Sequence, residues 1–187
     1  DIRSMCCRLR LDLRELRKKS GGFFGSGEST GSVGVVTINM PRIAYLSKTP
    51  EEFYNRLDRM MDISARSLHI KREVIGKLLD EGLYPYTKRY LGSFSNHFST
   101  IGLVGMNEVG LNARWLGGDM SDENTQKFTK EVLIHMRERL SDYQVKYEGE
   151  LFNLEATPAE STAYRLAKHD RKRWPDIKTA GKEGDTP

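Results

Sequence analysis

The stretch "VGVVTINMPRIAYLSKTPEE" (residues 33–52) decides the fold class. Its first part, residues 33–40, is a nearly continuous run of apolar and β-branched side chains, which predicts a strand buried on both faces. Pro41 ends this strand. Thr49 then caps a helix, and Glu52 completes a capping box. A buried strand that is soon followed by a well-capped helix is typical of an α/β protein.

The rest of the chain alternates in the same way. The helix that has Pro50 in its first turn runs to about Glu81, where Gly82 supplies the C-terminal stop. Further on, the sequence predicts a buried strand or turn, a second long helix with an apolar stripe, and a strand–turn–helix unit; these cover residues 99–106, 121–147 and 151–174. Long helices between buried β-branched runs indicate parallel strands with crossovers. The fold class is therefore α/β, and the unclosed ends predict part of a larger barrel or sheet.

Composition excludes several classes of protein. Thirty basic and 26 acidic residues give a net charge of +4, and the two signs are interspersed, which does not indicate a nucleic-acid-binding arm. No apolar run approaches the roughly 18 residues of a membrane span, and the chain starts without a signal peptide. Two cysteines without a disulfide framework indicate a reducing, cytoplasmic location. A start without methionine and a polar end predict a segment of a longer protein.

The two cysteines, Cys6 and Cys7, are adjacent. A bridge between them is unfavourable because neighbouring side chains in a strand point to opposite faces, and a bridge needs two well-aimed Cβ atoms. A zinc site is equally unfavourable, since there is no second thiol pair and the four histidines lack ligand spacing. Two alternatives stay open: both are small buried hydrophobes, or one is a reactive thiol with a neighbour.

The turn "EATPAEST" (residues 155–162) links the last predicted strand to a helix, with Thr157 as its cap and Pro158 in the first turn. Free backbone N–H groups and the helix dipole favour an anion at such a place. A phosphate could therefore bind at this turn, on Ala159, Glu160, Ser161 and Thr162. The alternative is a plain capped helix in which Glu160 bonds back to the backbone. No Walker-type or GxGxxG glycine pattern is present.

Four blocks together resemble one known family: "MCCRLRLDL" (residues 5–13), "GSVGVVTINMPRIAY" (31–45), "SFSNHFSTIGLVGMNE" (93–108) and "LEATPAESTAYRLAKHD" (154–170). The family is that of the oxygen-sensitive, glycyl-radical (class III) ribonucleoside-triphosphate reductases. The blocks occur in the family's order and span nearly the whole chain. Pyruvate formate-lyase, a related glycyl-radical enzyme that also uses adjacent cysteines, is the alternative within the same fold.

The resemblance implies a portion of a ten-stranded α/β barrel of the glycyl-radical enzyme type, with a finger loop inside. Residues 1–187 would be a fragment of one catalytic barrel domain. Within it the finger loop lies near residues 1–12, and a flexible Gly/Ser-rich loop covers 18–32. Barrel strands and helices cover 33–174, and an open C-terminal tail covers 175–187.

The resemblance also implies site residues. The family's cysteine–arginine motif falls on Cys7, which would carry a thiyl radical; this radical takes the 3′ hydrogen of the ribose, water leaves C2′, and a reductant completes the reaction. Met5 and Cys6 lie on the same finger. The turn would bind the substrate's phosphates and supply the carboxylate of Glu160. Glu155 falls where some members carry another site residue.

One departure from the family concerns the reductant. Formate-using members commonly carry an asparagine where this chain has Ser32. This departure favours a thiol reductant such as a redoxin over formate, with Cys6 or Met5 as possible participants. Strand alternation argues against a direct role of Cys6, because it would face away from the substrate of Cys7.

The resemblance implies partners and cofactors beyond this chain. A glycyl radical, generated by an activating enzyme that uses S-adenosylmethionine and an iron–sulfur cluster, and a cysteine-rich zinc site would lie outside the fragment. Family members are homodimers with nucleotide control at a helical interface, for which the helix over residues 50–81 is a candidate; the alternative is an ordinary barrel-covering helix. No membrane or direct nucleic-acid partner is expected. The fragment alone is predicted to be inactive, and a non-catalytic nucleotide-binding remnant is the alternative function.

Overall fold

The computed structural model describes residues 31–158 and 160–180. The strands are β1 (Gly31–Asn39), β2 (His97–Val104) and β3 (Phe152–Ala156). The helices are α1 (Met40–Leu46), α2 (Pro50–Asp80), α3 (Pro85–Leu91), α4 (Met106–Asn112), α5 (Glu123–Lys146) and α6 (Glu160–Arg173). The described chain forms two compact units. The first unit comprises residues 31–36, 64–101 and 139–155, and the second unit comprises 37–63, 102–138 and the described part of 156–180.

The three strands form a parallel sheet in the order β1–β2–β3. In the first unit the N–H of Ser99 donates to the carbonyl of Leu151 over 2.7 Å. In the second unit the N–H of Thr157 donates to the carbonyl of Leu103 over 3.2 Å. The α/β class is thus confirmed, and the three described strands form an open sheet rather than a closed barrel.

The burial predicted for β1 is wrong in part. Val33 and Ile38 are buried, but Val35 is 49% exposed. The physical reason is the position of the strand, because β2 is its one hydrogen-bonded neighbour among the described strands. The central strand β2 has the near-continuous burial that the β-branched run of β1 was expected to show.

Both ends of α2 form as local chemistry dictates. The N–H of Glu52 donates to the Thr49 hydroxyl over 3.2 Å, and the Glu52 carboxylate accepts from the N–H of Lys48 over 2.8 Å. At the other end, Gly82 adopts a φ of 86°, and its N–H donates to the carbonyl of Leu79. The predicted capping box and glycine stop are confirmed, although the carboxylate returns to Lys48 rather than to the cap residue.

The apolar stripe of α5 is also confirmed. In the second unit Phe128, Val132 and Met136 are buried, and in the first unit Leu140 and Tyr143 are buried. In the second unit the stripe meets the other aromatic rings of the core; Phe128 lies with its ring centroid 5.3 Å from that of Phe53, close to Tyr54 and Trp115. Edge-on packing of this kind is favourable for aromatic rings.

Three features of the backbone differ from the predictions. The helices α1, α3 and α4 were missed, because seven residues each are too few to show helical periodicity. Thr157 is not the cap of α6, since its N–H still belongs to the sheet and the helix begins at Glu160. The region from residue 175 is not an open tail as far as residue 180, because Ile177 is buried with only 3% exposure.

None of the described helices is both long and apolar enough to cross a membrane.

Candidate functional site

The second unit contains a cavity of about 210 Å³ beside the carboxyl ends of its strand segments. Asn39 ends β1, Val104 ends β2, and α6 follows β3. The cavity is lined by Asn39, Pro41, Val104, Gly105, Glu108, Glu160, Ala163, Tyr164, Leu166, Ala167, Asp170, Thr179 and Ala180. In parallel α/β folds the carboxyl ends of the strands are the usual place for a ligand. This cavity is therefore the candidate site.

The first turn of α6 brings three of the predicted site residues together. Glu160, Ser161 and Thr162 are exposed at the start of this helix, and Glu160 lines the cavity. The plain-helix alternative, in which Glu160 bonds back to the backbone, depends on the residues just before the helix, and one of these, Ala159, lies outside the described residues. The unpaired N–H groups of a helix start favour an anion, which fits a phosphate at this turn.

Glu155 lies in the first unit and is almost completely buried in β3, with 7% exposure. Burial raises the pKa of its carboxyl group above the ordinary value of 4.5. The part of the chain that the structure describes provides no ion pair for this carboxylate. Glu155 is not among the residues that line the cavity of the second unit.

Ser32 lies in β1, within the first unit, and not in a loop as predicted. Its hydroxyl donates to the carbonyl of Gly34 over 3.0 Å and lies 3.1 Å from the Thr100 hydroxyl. The side chain is thus oriented by β2, its neighbour in the sheet.

Asp170 is a residue of the cavity that sequence reasoning missed. It is buried at 2% exposure, although it lies within the basic run "KHDRKRW" (residues 168–174). Its carboxylate accepts from Asn39 Nδ2 over 2.7 Å and from Arg42 Nε over 2.7 Å. The only signal in the sequence is that Asp170 is the one acidic residue in this basic run. That signal does not show that Asn39 and Arg42 are its partners.

Gly105 forms the wall of the cavity between β2 and α4. It adopts a φ of 79°, a left-handed conformation that favours glycine. A Cβ atom here would overlap Cγ of Pro41 and lie 2.6 Å from its Cδ. The glycine therefore permits the close approach of α1 and α4, which pack against each other.

The remaining predicted site residues cannot be described structurally. Met5, Cys6, Cys7 and Ala159 lie outside the described residues. Among the residues that are described, no group of three or more His, Cys, Asp or Glu side chains could hold a metal ion. We therefore assign no metal ligand in this part of the chain.

Comparison with known proteins gives a consistent result. Residues 1–183 match the family described as anaerobic ribonucleoside-triphosphate reductase. The anaerobic ribonucleoside-triphosphate reductase of Haemophilus influenzae is 27% identical over 175 residues, which cover 81% of this chain and 24% of that protein. The corresponding protein of Enterobacteria phage T4 is 25% identical over 176 residues, which cover 84% of this chain and 27% of that protein.

A solved structure shows the same similarity. The anaerobic ribonucleotide reductase from Thermotoga maritima, in complex with dATP and CTP, superimposes with a TM-score of 0.72 at 30% identity. The match covers 80% of this chain and 26% of that one. The chain thus spans about a quarter of the length of the relatives that it matches.

Proposed function

The chain belongs to the anaerobic ribonucleoside-triphosphate reductase family, and on that premise we propose that it carries the radical finger and the substrate turn of a longer oxidoreductase. The longer enzyme reduces ribonucleoside triphosphates to deoxyribonucleoside triphosphates under anaerobic conditions. The observation that carries this proposal is Glu160, which lies at the start of α6 and lines the cavity beside the carboxyl ends of the strands.

The substrate binds through its phosphates at the first turn of α6. The N–H groups at the start of α6, at Ser161 and Thr162, donate to phosphate oxygens, and the helix dipole adds to this attraction; Ala159 is the further residue that the sequence assigns to the phosphate. The carboxylate of Glu160, a residue that lines the cavity, then accepts from a ribose hydroxyl of the bound nucleotide. The related enzyme from Thermotoga maritima was crystallised with dATP and CTP, which supports a nucleotide as the ligand.

The radical step starts at Cys7. A glycyl radical in another part of the full-length protein, produced by a radical-SAM activating enzyme, would supply the unpaired electron. The Cys7 sulfur takes the hydrogen atom from C3′, and the C2′ hydroxyl leaves as water after it gains a proton. Two electrons and two protons come from the reductant, and Cys7 returns its hydrogen to C3′. The sum is one ribonucleotide reduced to one deoxyribonucleotide and one water.

Glu155 is suited to proton exchange in this reaction. Its burial in β3 raises the pKa of the carboxyl group, so that the group can hold a proton closer to neutral pH than an exposed glutamate. A group with this property can give a proton to a leaving hydroxyl and recover it from solvent.

The reductant is a thiol protein such as a redoxin rather than formate. Ser32 supports this, because it replaces the asparagine of formate-using members and its hydroxyl already bonds within the sheet. Met5 and Cys6 are the residues of the finger that could take part in electron delivery. The partners of the longer protein are thus the activating enzyme, the reductant and a second copy that pairs through α2. The zinc site of the longer protein lies outside residues 1–187. The longer protein works in the cytoplasm.

The test uses the full-length protein under strict anoxia, with its activating enzyme, S-adenosylmethionine, a thiol reductant and CTP. We expect Cys7→Ser to abolish dCTP formation while CTP affinity changes less than about twofold, since the thiol acts on the reaction and not on binding. Cys6→Ser is measured in parallel: retained turnover would exclude Cys6 from electron delivery, and lost turnover with the thiol reductant would include it.

Three other outcomes would contradict the proposal. Substantial dCTP formation by Cys7→Ser would remove the thiyl assignment. CTP binding without turnover by the unaltered protein would favour the non-catalytic nucleotide-binding module. Glycyl-radical formation without CTP binding would favour an enzyme of the pyruvate formate-lyase type.

A further inference from the structure

The segment of residues 175–180 follows α6 within the second unit, and it contacts the rest of that unit at three places. Ile177 is buried in the core at 3% exposure. The Tyr45 hydroxyl donates to the Asp176 carboxylate over 2.6 Å. Asn112, the last residue of α4, binds the backbone of Lys178. We call this segment the strap.

The Asn112 side chain makes a paired contact with the strap. Its Nδ2 donates to the carbonyl of Lys178 over 2.8 Å, and its Oδ1 accepts from the N–H of the same residue over 2.9 Å. Nδ2 also donates its second hydrogen to the carbonyl of Glu108 over 2.8 Å. Both donors and one acceptor position of the amide are therefore used, and only asparagine or a longer amide could supply this combination.

The strap is a wall of the candidate site. Thr179 and Ala180, the two residues after Lys178, line the same cavity as Glu160. Glu108, which supplies the carbonyl for the Asn112 amide, lines it as well. The amide of Asn112 thus ties two walls of one cavity to each other, although its own side chain is not among the lining residues.

We infer that Asn112 is a positioning residue, which sets the width of the nucleotide cavity by holding the strap against α4. This inference rests on the proposed function, because the nucleotide is the ligand whose fit is at issue. When the strap is released, Thr179 and Ala180 leave their places and the nucleotide loses contact area beside Glu160. The effect falls on binding, since no group of the strap takes part in the radical step.

The test compares Asn112→Asp with Asn124→Asp in the full-length protein. The carboxylate at residue 112 keeps the acceptor and removes both donors, so two carbonyl groups face it without a hydrogen bond. Asn124 is an exposed residue of α5 outside this cavity, and it undergoes the same chemical change. Hydrogen exchange over residues 175–180 reports on the strap, and KM and kcat with CTP report on the site.

For Asn112→Asp we expect exchange in the strap to become about tenfold faster and KM for CTP to rise about tenfold, with kcat changed less than about twofold. Asn124→Asp should match the unaltered protein in all three. Tyr45→Phe, which removes only the Asp176 contact, should cause the same changes to a smaller degree and keeps the test valid should Asn112→Asp fold poorly.

Two results would overturn the inference alone. Unchanged exchange in both variants would mean that these contacts do not hold the strap. Faster exchange with an unchanged KM would mean that the strap is not a wall of the nucleotide site. A failure of the unaltered protein to bind CTP would instead overturn the proposed function, and with it the role of Asn112.

Discussion

Asp170 and Arg42 form an ion pair, with Nη2 of the guanidinium 2.6 Å and Nε 2.7 Å from the same carboxylate oxygen. The aspartate side chain is 3% exposed and the arginine side chain 38%. The second carboxylate oxygen accepts from Asn39, whose own Oδ1 accepts from the N–H of Arg42 at the start of α1. The pair therefore fastens α6, whose first turn is the proposed substrate turn, to the end of β1 and to α1.

The first prediction concerns this pair. Replacing Asp170 by asparagine removes the negative charge and leaves the guanidinium without its counter-ion. We expect the free energy of local opening of α6 to fall by about 2 kcal/mol, because hydrogen bonds to charged groups contribute about that much when partly buried. Native-state hydrogen exchange of the α6 amides in the full-length protein measures it.

The matched control for this pair is Asp142→Asn, an exposed aspartate of α5. Its effect should stay within about 0.5 kcal/mol, as is usual for surface positions. Equal exchange in the two variants would show that the Arg42 contact does not hold α6.

The second prediction concerns the pH dependence of stability. Burial raises the folded-state pKa of Glu155 above 4.5, so folding favours its protonated form. The stability that this provides is fully present below pH 4.5 and is lost as the pH rises through the folded pKa. At pH 7 the buried carboxylate therefore opposes folding, and Glu155→Gln should stabilise the protein there but not at pH 4.

The thermal midpoint of the full-length protein at the two pH values measures this difference. Glu138→Gln, at an exposed site of α5, is the control and should shift neither midpoint. If Glu155 serves proton transfer, the stabilised variant should also lose turnover, since functional sites commonly reduce stability. A variant that is destabilised at pH 7 would reveal a partner for the carboxylate and would contradict the argument.

The sequence predicted those elements whose signals are local. The cap at Thr49 and the stop at Gly82 each act within a few residues, and the stripe of α5 repeats along one helix. The candidate site was predictable only at the turn around Glu160, where strand, turn and helix are consecutive. Asp170 and Asn112 were missed because their partners lie 131 and 66 residues away in the chain, and no periodicity encodes such a contact.

The third prediction concerns Gly105. An alanine there would combine a left-handed backbone with a Cβ atom that overlaps the ring of Pro41. We expect Gly105→Ala to lower the free energy of local opening of α4 by about 2 kcal/mol or more, because both the strained conformation and the overlap must be relieved. The cavity wall would move with the backbone, so KM for CTP should rise as well.

Gly117→Ala is the control for this effect, because a Cβ atom at residue 117 meets no atom within 4 Å. That variant should be neutral in hydrogen exchange and in KM. The comparison of Gly105→Ala with Gly117→Ala therefore shows whether glycine is needed at residue 105 for the close approach of α1 and α4, or only for backbone flexibility. If Gly105→Ala were as stable and as active as the control, α1 and α4 could not be packed as closely as the proline contact requires.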